Sequence, residues 1–383
     1  PELFCDMIRG MKSLGIIAEF NPFHQGHQYL IDKAMEETGS DVCVAVMSGN
    51  FTQRGIPAVQ DKWTRAEAAV KQGVNLVVEL PVVFSCSSAE YFARGGVDIL
   101  EGFGCIDRIA FGSESGDIGE LRRAADFLLR FDREIHQKVQ ALVKAGEVYP
   151  KARQRAVEQI GGDFDLSALR EPNNILAVEY LKRLRRIEPY TTRRKGDGYH
   201  QSASQIRSGL AEREPERFAR MGRIYWELVS SRILQTDGSR LEQMFSAGEG
   251  LGNKLKKEVR CASSAEQLIM RVKSKAYTHS RISRLLTQVL LDIDEPDARE
   301  GQPYIRVLAF DRTGAAFLKE MKKKECALLP VITNINKEAG RYPEIQKTLQ
   351  KDILASDIYN IIAGKDLYAC SDYVMRPNAA DRR

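Results

Sequence analysis

Four short apolar runs punctuate the first 112 residues: LGIIAEF (14–20), DVCVAVM (41–47), NLVVELP (75–81) and DRIAFG (107–112). They show little of the polar alternation expected when one face of a strand meets water. They therefore read as strands covered on both faces, as in a parallel sheet. Segments of helical period separate them. In the first, His27, Leu30, Ile31, Ala34 and Met35 share one face, and Gly39 follows as the expected C-cap. The second, 61–73, opens on Asp61 as N-cap and carries Ala66, Ala69 and Val70 as a narrow apolar stripe. A third covers 88–100, and a fifth strand, PYTTRR (189–194), follows a helix that begins near Pro172. This alternation predicts an α/β domain over residues 11–210, built on a doubly wound parallel sheet.

Beyond residue 210 helical periodicity dominates, through WELVSSRIL (226–234), the long stretch 264–293 and DILASDIYNIIAG (352–364). Two strand-like runs, YIRVLAF (304–310) and ALLPVIT (327–333), interrupt it. The expectation is a second, mainly helical domain over 211–383 with a small β element. No apolar run approaches the roughly 18 residues of a membrane span. Seven cysteines without a C-x-x-C pair suit reduced thiols in the cytoplasm and argue against a structural zinc. The net charge of +5 is mild and compatible with a nucleic-acid partner. Residues 1–10 precede a start-like Met11-Lys12 pair and are left out of the fold prediction.

The first strand runs directly into FNPFHQGHQYLIDKA (20–34), which places two of the chain's five histidines three residues apart. A strand that turns tightly into a helix aims backbone N–H groups and the positive helix end at one point, which favours phosphate. Pro22 fixes the turn and Gly26 permits close approach of backbone to ligand. His24 and His27 then flank that point with imidazole donors. Two solvated histidines beside a helix start are the alternative. The rarity of histidine in this chain, and the position after the first strand, favour the functional pair.

The H-x-G-H pattern resembles that of the nucleotidyltransferase superfamily that grips the α-phosphate of a nucleoside triphosphate. SASQIR (202–207) is similar to that superfamily's late S-x-[ST]-x-[IV]-R signature. The chain departs from many members in having Ala18-Glu19-Phe20-Asn21 where Gly-x-Phe precedes the proline. GIIAEFNPFHQGH (15–27), MSGNFTQRG (47–55), DKWTRAEAA (61–69), FGSESG (111–116), EPNNILAVEYL (171–181), TTRRKGDGYH (191–200) and KSKAYTHSRISRLL (273–286) together resemble the bacterial tRNA(Met) cytidine acetate ligases.

That resemblance implies a Rossmann-like nucleotidyltransferase domain that activates acetate with ATP as acetyl-adenylate. It also implies acetylation of N4 of the wobble cytidine of elongator tRNA(Met), with Mg²⁺ accompanying ATP. No protein partner or membrane is expected. The ATP site would comprise Ile17, Ala18, Glu19, Phe20, Asn21, Pro22, Phe23, His24, Gln25, Gly26, His27, Gln28, Tyr29 and Leu30. Gly112, Asn173, Asn174, Arg194, Ser202, Ser204 and Arg207 would complete it, and His24 and His27 would be catalytic.

Each further block has a plainer reading beside the functional one. Asn173 can serve as a helix N-cap, and the Arg193-Arg194-Lys195 triplet as a solvated run from which Arg194 is the residue expected to face the ligand. His200 is either a third imidazole or a solvated loop residue. In the polar loop after the second strand, Gln53, Arg54, Lys62 and Arg65 are candidates for acetate, phosphate or RNA; Lys62 and Arg65 are the pair chosen. Lys273, Lys275, Arg281 and Arg284 are interleaved with Tyr277 and His279, a pattern that suits RNA, against the alternative of a basic outer helix face. An adenylyltransferase acting on a small phosphate-bearing acceptor would not need so large a second half. A non-catalytic RNA-binding protein would not need the intact H-x-G-H.

Overall fold

Strand β1 (Ser13–Ala18) lies between β2 (Val42–Ser48) and β4 (Arg108–Ser113), all parallel, so the first apolar run becomes the centre of the sheet. The structure is a computed structural model and describes residues 10–161, 169–194, 203–248, 250–274 and 277–380. With β3 (Leu76–Leu80) and β5 (Glu188–Arg193), the five strands expected from sequence form a parallel block in the order β5-β4-β1-β2-β3.

Both faces are covered, which explains the absence of polar alternation. Val42, Val44 and Val46 of β2 pack into one apolar cluster, and Cys43, Ala45 and Met47 into another. Helices α1 (Gln25–Thr38) and α2 (Lys62–Lys71) cover the second face through Ile31, Ala34, Trp63, Ala66, Ala69 and Val70. Helix α3 (Ala89–Gly102) covers the first through Phe92, Val97 and Leu100. The caps also fall as expected. Gly39 closes α1 in the left-handed conformation, φ 60°, and Asp61 accepts the Thr64 N–H at 2.9 Å.

The boundary expected at residue 210 does not divide the sheet. YIRVLAF forms β6 (Ile305–Phe310), which pairs antiparallel with β3, and β7 (Val331–Ile332) and β8 (Asn378–Ala379) pair with β6. The sheet is therefore mixed, and the C-terminal half supplies its edge instead of a separate β element. The reason is burial: Ile305, Val307, Leu308 and Ala309 are as apolar as β3 and are buried with it. Helix α4 (Pro172–Arg183) precedes β5, and between the parallel block and β6 lie α5 (Ala203–Arg213), α6 (Pro215–Gln235), α7 (Ala265–Val272) and α8 (His279–Leu291), together with shorter helices. Helix α9 (Gln346–Ala363) follows β7. Among the described residues no helix is long and apolar enough to cross a membrane.

Candidate active site

The carboxyl ends of β1, β4 and β5 meet the start of α1 around a cavity of about 440 Å³. Ligands of open α/β sheets bind at this end of the strands. Ile17, Ala18, Glu19, Phe20 and Asn21 line it as β1 ends, followed by His24, Gly26, His27, Tyr29 and Leu30. Gly112 comes from β4, Thr192 and Arg194 from β5, Asn173 and Tyr180 from α4, and Ser204 and Arg207 from α5. Phe20 adopts φ 45° while almost fully buried, a strained backbone at the turn into the motif.

The two histidines cap the helix and each other. His24 Nδ1 accepts the Gly26 N–H at 3.0 Å, and His27 Nδ1 accepts the His24 N–H at 3.2 Å. The imidazoles stack with centroids 3.7 Å apart. A Cβ at residue 26 would lie 3.0 Å from His24 Cε1, so glycine gives this ring its seat. With Nδ1 accepting on both rings, the proton of each neutral imidazole sits on Nε2, and both rings act through an Nε2–H donor. Burial, then His24, then Arg194, hold the His27 imidazole well below its ordinary pKa, so it is neutral at pH 7.

Cationic charge is supplied by Arg194 at the end of β5 and Arg207 on α5. Arg207 Nη1 donates to Asn21 O at 2.9 Å, tying α5 to the turn that carries the histidines. Burial and then the neighbouring Arg54 lower the Arg207 pKa, while Glu19 opposes them, and the guanidinium stays charged. Gln53 and Arg54, singled out by sequence in the polar loop, reach the cavity, and Gln53 N–H donates to Glu19 Oε1 at 2.7 Å.

Other expected contacts fall elsewhere. Lys62 is fully buried, with Nζ 2.7 Å from Glu79 Oε1 and 2.8 Å from Asp372 Oδ2. Arg306 joins the same two carboxylates at 3.2 and 2.9 Å. Arg65, also buried, spends its guanidinium on the carbonyls of Gln60, Glu19, Ser48 and Gly49. Neither lines the cavity: Lys62 serves a buried ion cluster, and Arg65 fixes the strand ends beneath the site. Asn174 likewise turns inward, accepting the Glu114 N–H at 2.9 Å, while Glu114 Oε2 accepts the Asn174 N–H at 2.8 Å. Glu114, not Asn173, satisfies the start of α4. Pro22, Phe23, Gln25 and Gln28 of the motif stretch are absent from the cavity lining.

On α8, Arg281 donates to Ser246 O and Ala247 O at 2.9 and 2.8 Å and lies over Tyr277. Arg284 is largely buried, its backbone against Gly55. The expected basic face is thus half consumed by internal contacts, leaving Lys273 exposed. Ser202, Lys275, Lys195 and His200 lie outside the described residues.

A divalent cation finds no ready-made cage. Among the described residues no group of three His, Cys, Asp or Glu side chains has metal-site geometry. Glu19 is the one carboxylate among the cavity's lining residues, and its Oε1 is already engaged. This donor set does not fit a resident Mg²⁺, and no step below is assigned to one.

A profile of the HIGH nucleotidyl transferase family matches residues 11–371. The chain belongs to that family. Within it, a relative from Caldanaerobacter subterraneus subsp. tengcongensis named tRNA(Met) cytidine acetate ligase is 39% identical, over 92% of this chain and 95% of its own length. A protein of the same name from Clostridium novyi is 36% identical, over 96% of this chain and 99% of its own length. Thermotoga maritima TmcAL, solved with alpha-thio ATP, superposes with a TM-score of 0.86 at 31% identity, covering 97% of this chain and all of the other. The family's ligase branch is therefore where this α/β fold and its H-x-G-H turn sit.

Proposed function

We propose that the protein activates acetate with ATP and transfers the acetyl group to N4 of the wobble cytidine of elongator tRNA(Met). One observation carries the reading: two stacked imidazoles at the positive end of α1, each with Nδ1 engaged by backbone, share one cavity with Arg194 and Arg207. In the first step an acetate oxygen bonds to the α-phosphorus and the bond to pyrophosphate breaks. His24 and His27 donate from Nε2 to oxygens whose charge grows as that bond breaks, and the neutral rings need give up no proton. Arg207 and Arg194 balance the charge of departing pyrophosphate, with bidentate geometry that lysine lacks.

In the second step the cytidine N4 bonds to the acetyl carbonyl carbon, and AMP leaves with the electron pair of the carbon–oxygen bond. The amine must also lose a proton, and Glu19 supplies an acceptor within the cavity. No covalent enzyme intermediate is needed. Gly112 gives backbone room beside the nucleotide, and Ser204 adds a hydroxyl near the phosphates. Magnesium enters as part of the MgATP substrate. Gln53 and Arg54 are the carboxylate-side residues in this reading, in place of Lys62 and Arg65. The tRNA substrate puts the enzyme in the cytoplasm, and Lys273 is available to an RNA phosphate.

Acetate-dependent pyrophosphate release without tRNA, followed by mass detection of acetylcytidine when tRNA(Met) is added, tests both steps. Pyrophosphate release that ignores acetate would refute the activation step; an unmodified cytidine would refute the transfer.

A further inference from the structure

A short, tied turn after α9 presents an aromatic ring to solvent. Tyr368 is 81% exposed and Leu367 is 49% exposed, in a turn that follows α9. Such exposure does not come from looseness. Asn360 Nδ2 donates to Cys370 O at 3.0 Å, Lys365 N–H returns to Asn360 O at 2.8 Å, and Asp366 Oδ1 accepts the Ala369 N–H at 2.6 Å. Beyond the turn, Asp372 is locked in the buried cluster with Lys62 and Arg306.

Cations and their carboxylate partners flank this platform. Arg220 of α6 donates to Ala363 O at 3.1 Å and joins no ion pair among the described residues. Lys365 pairs with Asp61 at the start of α2, and Arg217 pairs with Glu214 at 2.7 Å and donates to Val59 O. Val59 N–H in turn donates to Asn21 Oδ1 at 2.8 Å, and Asn21 O receives Arg207. A chain of hydrogen bonds through the buried Asn21, Val59 and Asp61 therefore links the histidine turn to the Tyr368 turn.

We infer that the exposed face of this turn, with Arg220 beside it, is the docking surface for the single-stranded RNA flanking the target cytidine, with Tyr368 as a stacking platform for an unpaired neighbouring base. The inference rests on the proposed tRNA acetylation. An enzyme that works on a base must hold it out of its stack, and neighbouring loop nucleotides then need a surface of their own. A rigid aromatic costs little to order and stacks on any base, while the exposed Arg220 meets the backbone. Arg220, exposed and joined to no carboxylate among the described residues, and the hydrogen-bonded link to the histidine turn favour RNA over a second copy of the chain on the same apolar residues.

The test uses the full chain and an anticodon stem-loop RNA containing the target cytidine. Tyr368→Ala should lower kcat/KM for RNA acetylation about ten-fold or more, the scale of losing one base stack. Tyr368→Phe should keep it near the parent value. Arg220→Ala should weaken RNA binding and reduce the log–log salt slope by about 0.7–0.9. Acetate-dependent pyrophosphate release without RNA should be unchanged in all three. Unchanged RNA affinity and turnover in Tyr368→Ala would overturn the inference while leaving the function intact. So would a parent dimer that Tyr368→Ala splits, since a second copy would then own the surface. A parent enzyme that releases pyrophosphate with acetate yet never acetylates RNA would instead overturn the function beneath it.

Discussion

His27 offers the sharpest test because its two ring nitrogens have separable duties. Nδ1 accepts the His24 N–H and closes the helix cap, while the ring lines the cavity and is proposed to donate from Nε2 to the phosphate. His27→Ala removes both. Losing one preorganised donor to developing charge costs about 2.7–4 kcal/mol of transition-state binding, or roughly 10²–10³ in acetyl-adenylate formation. Leaving the His24 N–H without its acceptor costs about 1–3 kcal/mol of stability. His27→Asn keeps an acceptor where Nδ1 stood and should lose under about 1 kcal/mol of stability, yet be as slow as alanine. His27→Gln places its amide near Nε2 and should recover part of the rate without restoring the cap. Single-turnover adenylation, ATP affinity and urea unfolding measured on all three variants separate these effects. ATP affinity should move less than the rate, because the donor acts on charge that appears as the bond breaks.

The same residue sets a pH signature. Burial, then His24 and Arg194, hold the folded His27 below the imidazole range, whereas the unfolded chain takes up the proton near pH 6.5. Its contribution to stability is therefore intact above pH 6.5. Below that it falls, by up to about 1.4 kcal/mol per pH unit, until the folded ring also protonates. His27→Asn should flatten that part of the acid slope, and the adenylation rate of the parent should show no ionisation of His27 near 6.5. Parent-like adenylation in both His27→Ala and His27→Asn would refute the donor role outright.

Three further outcomes follow from the same geometry. Arg207→Ala should raise the ATP requirement and slow pyrophosphate release, with lysine restoring only part of each in steady-state assays; parent-like ATP use would reduce the motif to a helix start. Asp372→Asn should cost about 3–5 kcal/mol in urea unfolding, because it leaves Lys62 and Arg306 under-compensated in the interior. Burial pushes the Asp372 carboxyl up, but Arg306 and Lys62 outweigh it and hold it at about 2, so its stabilisation is present above about pH 4 and lost towards pH 2, which acid titration of the two proteins would compare. Gly55→Ala sets a Cβ 2.4 Å from Arg284 Cα at φ 73°, and the resulting shift of Gln53 and Arg54 should appear as a raised KM for acetate.

What sequence could show depended on whether a residue's partner was near it in the chain. The strand runs, the Gly39 and Asp61 caps and the His24–His27 turn are local patterns, and each stands where its neighbours predicted. Gly112, Arg194, Ser204 and Arg207 follow from motif position, and all four line the cavity. Lys62 misleads because a lysine in a polar loop reads as a ligand contact, while its partner Asp372 lies 310 residues away. Arg65 misleads for the same reason: carbonyl acceptors leave no mark in a sequence. Asn174 and Glu114 exchange hydrogen bonds between two loops, a pairing that neither loop announces. Within FGSESG it is Glu114 that accepts from the start of α4. YIRVLAF reads as a small β element of the second half, because a strand buried between two neighbours is apolar whichever sheet it joins.

The distant pairings also decide how the two half-reactions can be separated. Glu79 on β3 and Lys62 on α2 belong to the first half, and Arg306 on β6 and Asp372 belong to the second. Ending the chain at residue 210 would expose the hydrogen-bonding edge of β3 and strip its buried ion pair of two partners. It would also remove Ser283 and Thr287, whose hydroxyls hold Gly55 O at 3.3 and 2.9 Å and with it the loop that carries Gln53 and Arg54. The α/β half therefore holds the adenylation chemistry without being able to form its site alone. Adenylation and RNA transfer must be parted by surface residues such as Tyr368 and Arg220, whose removal leaves every one of these buried contacts in place.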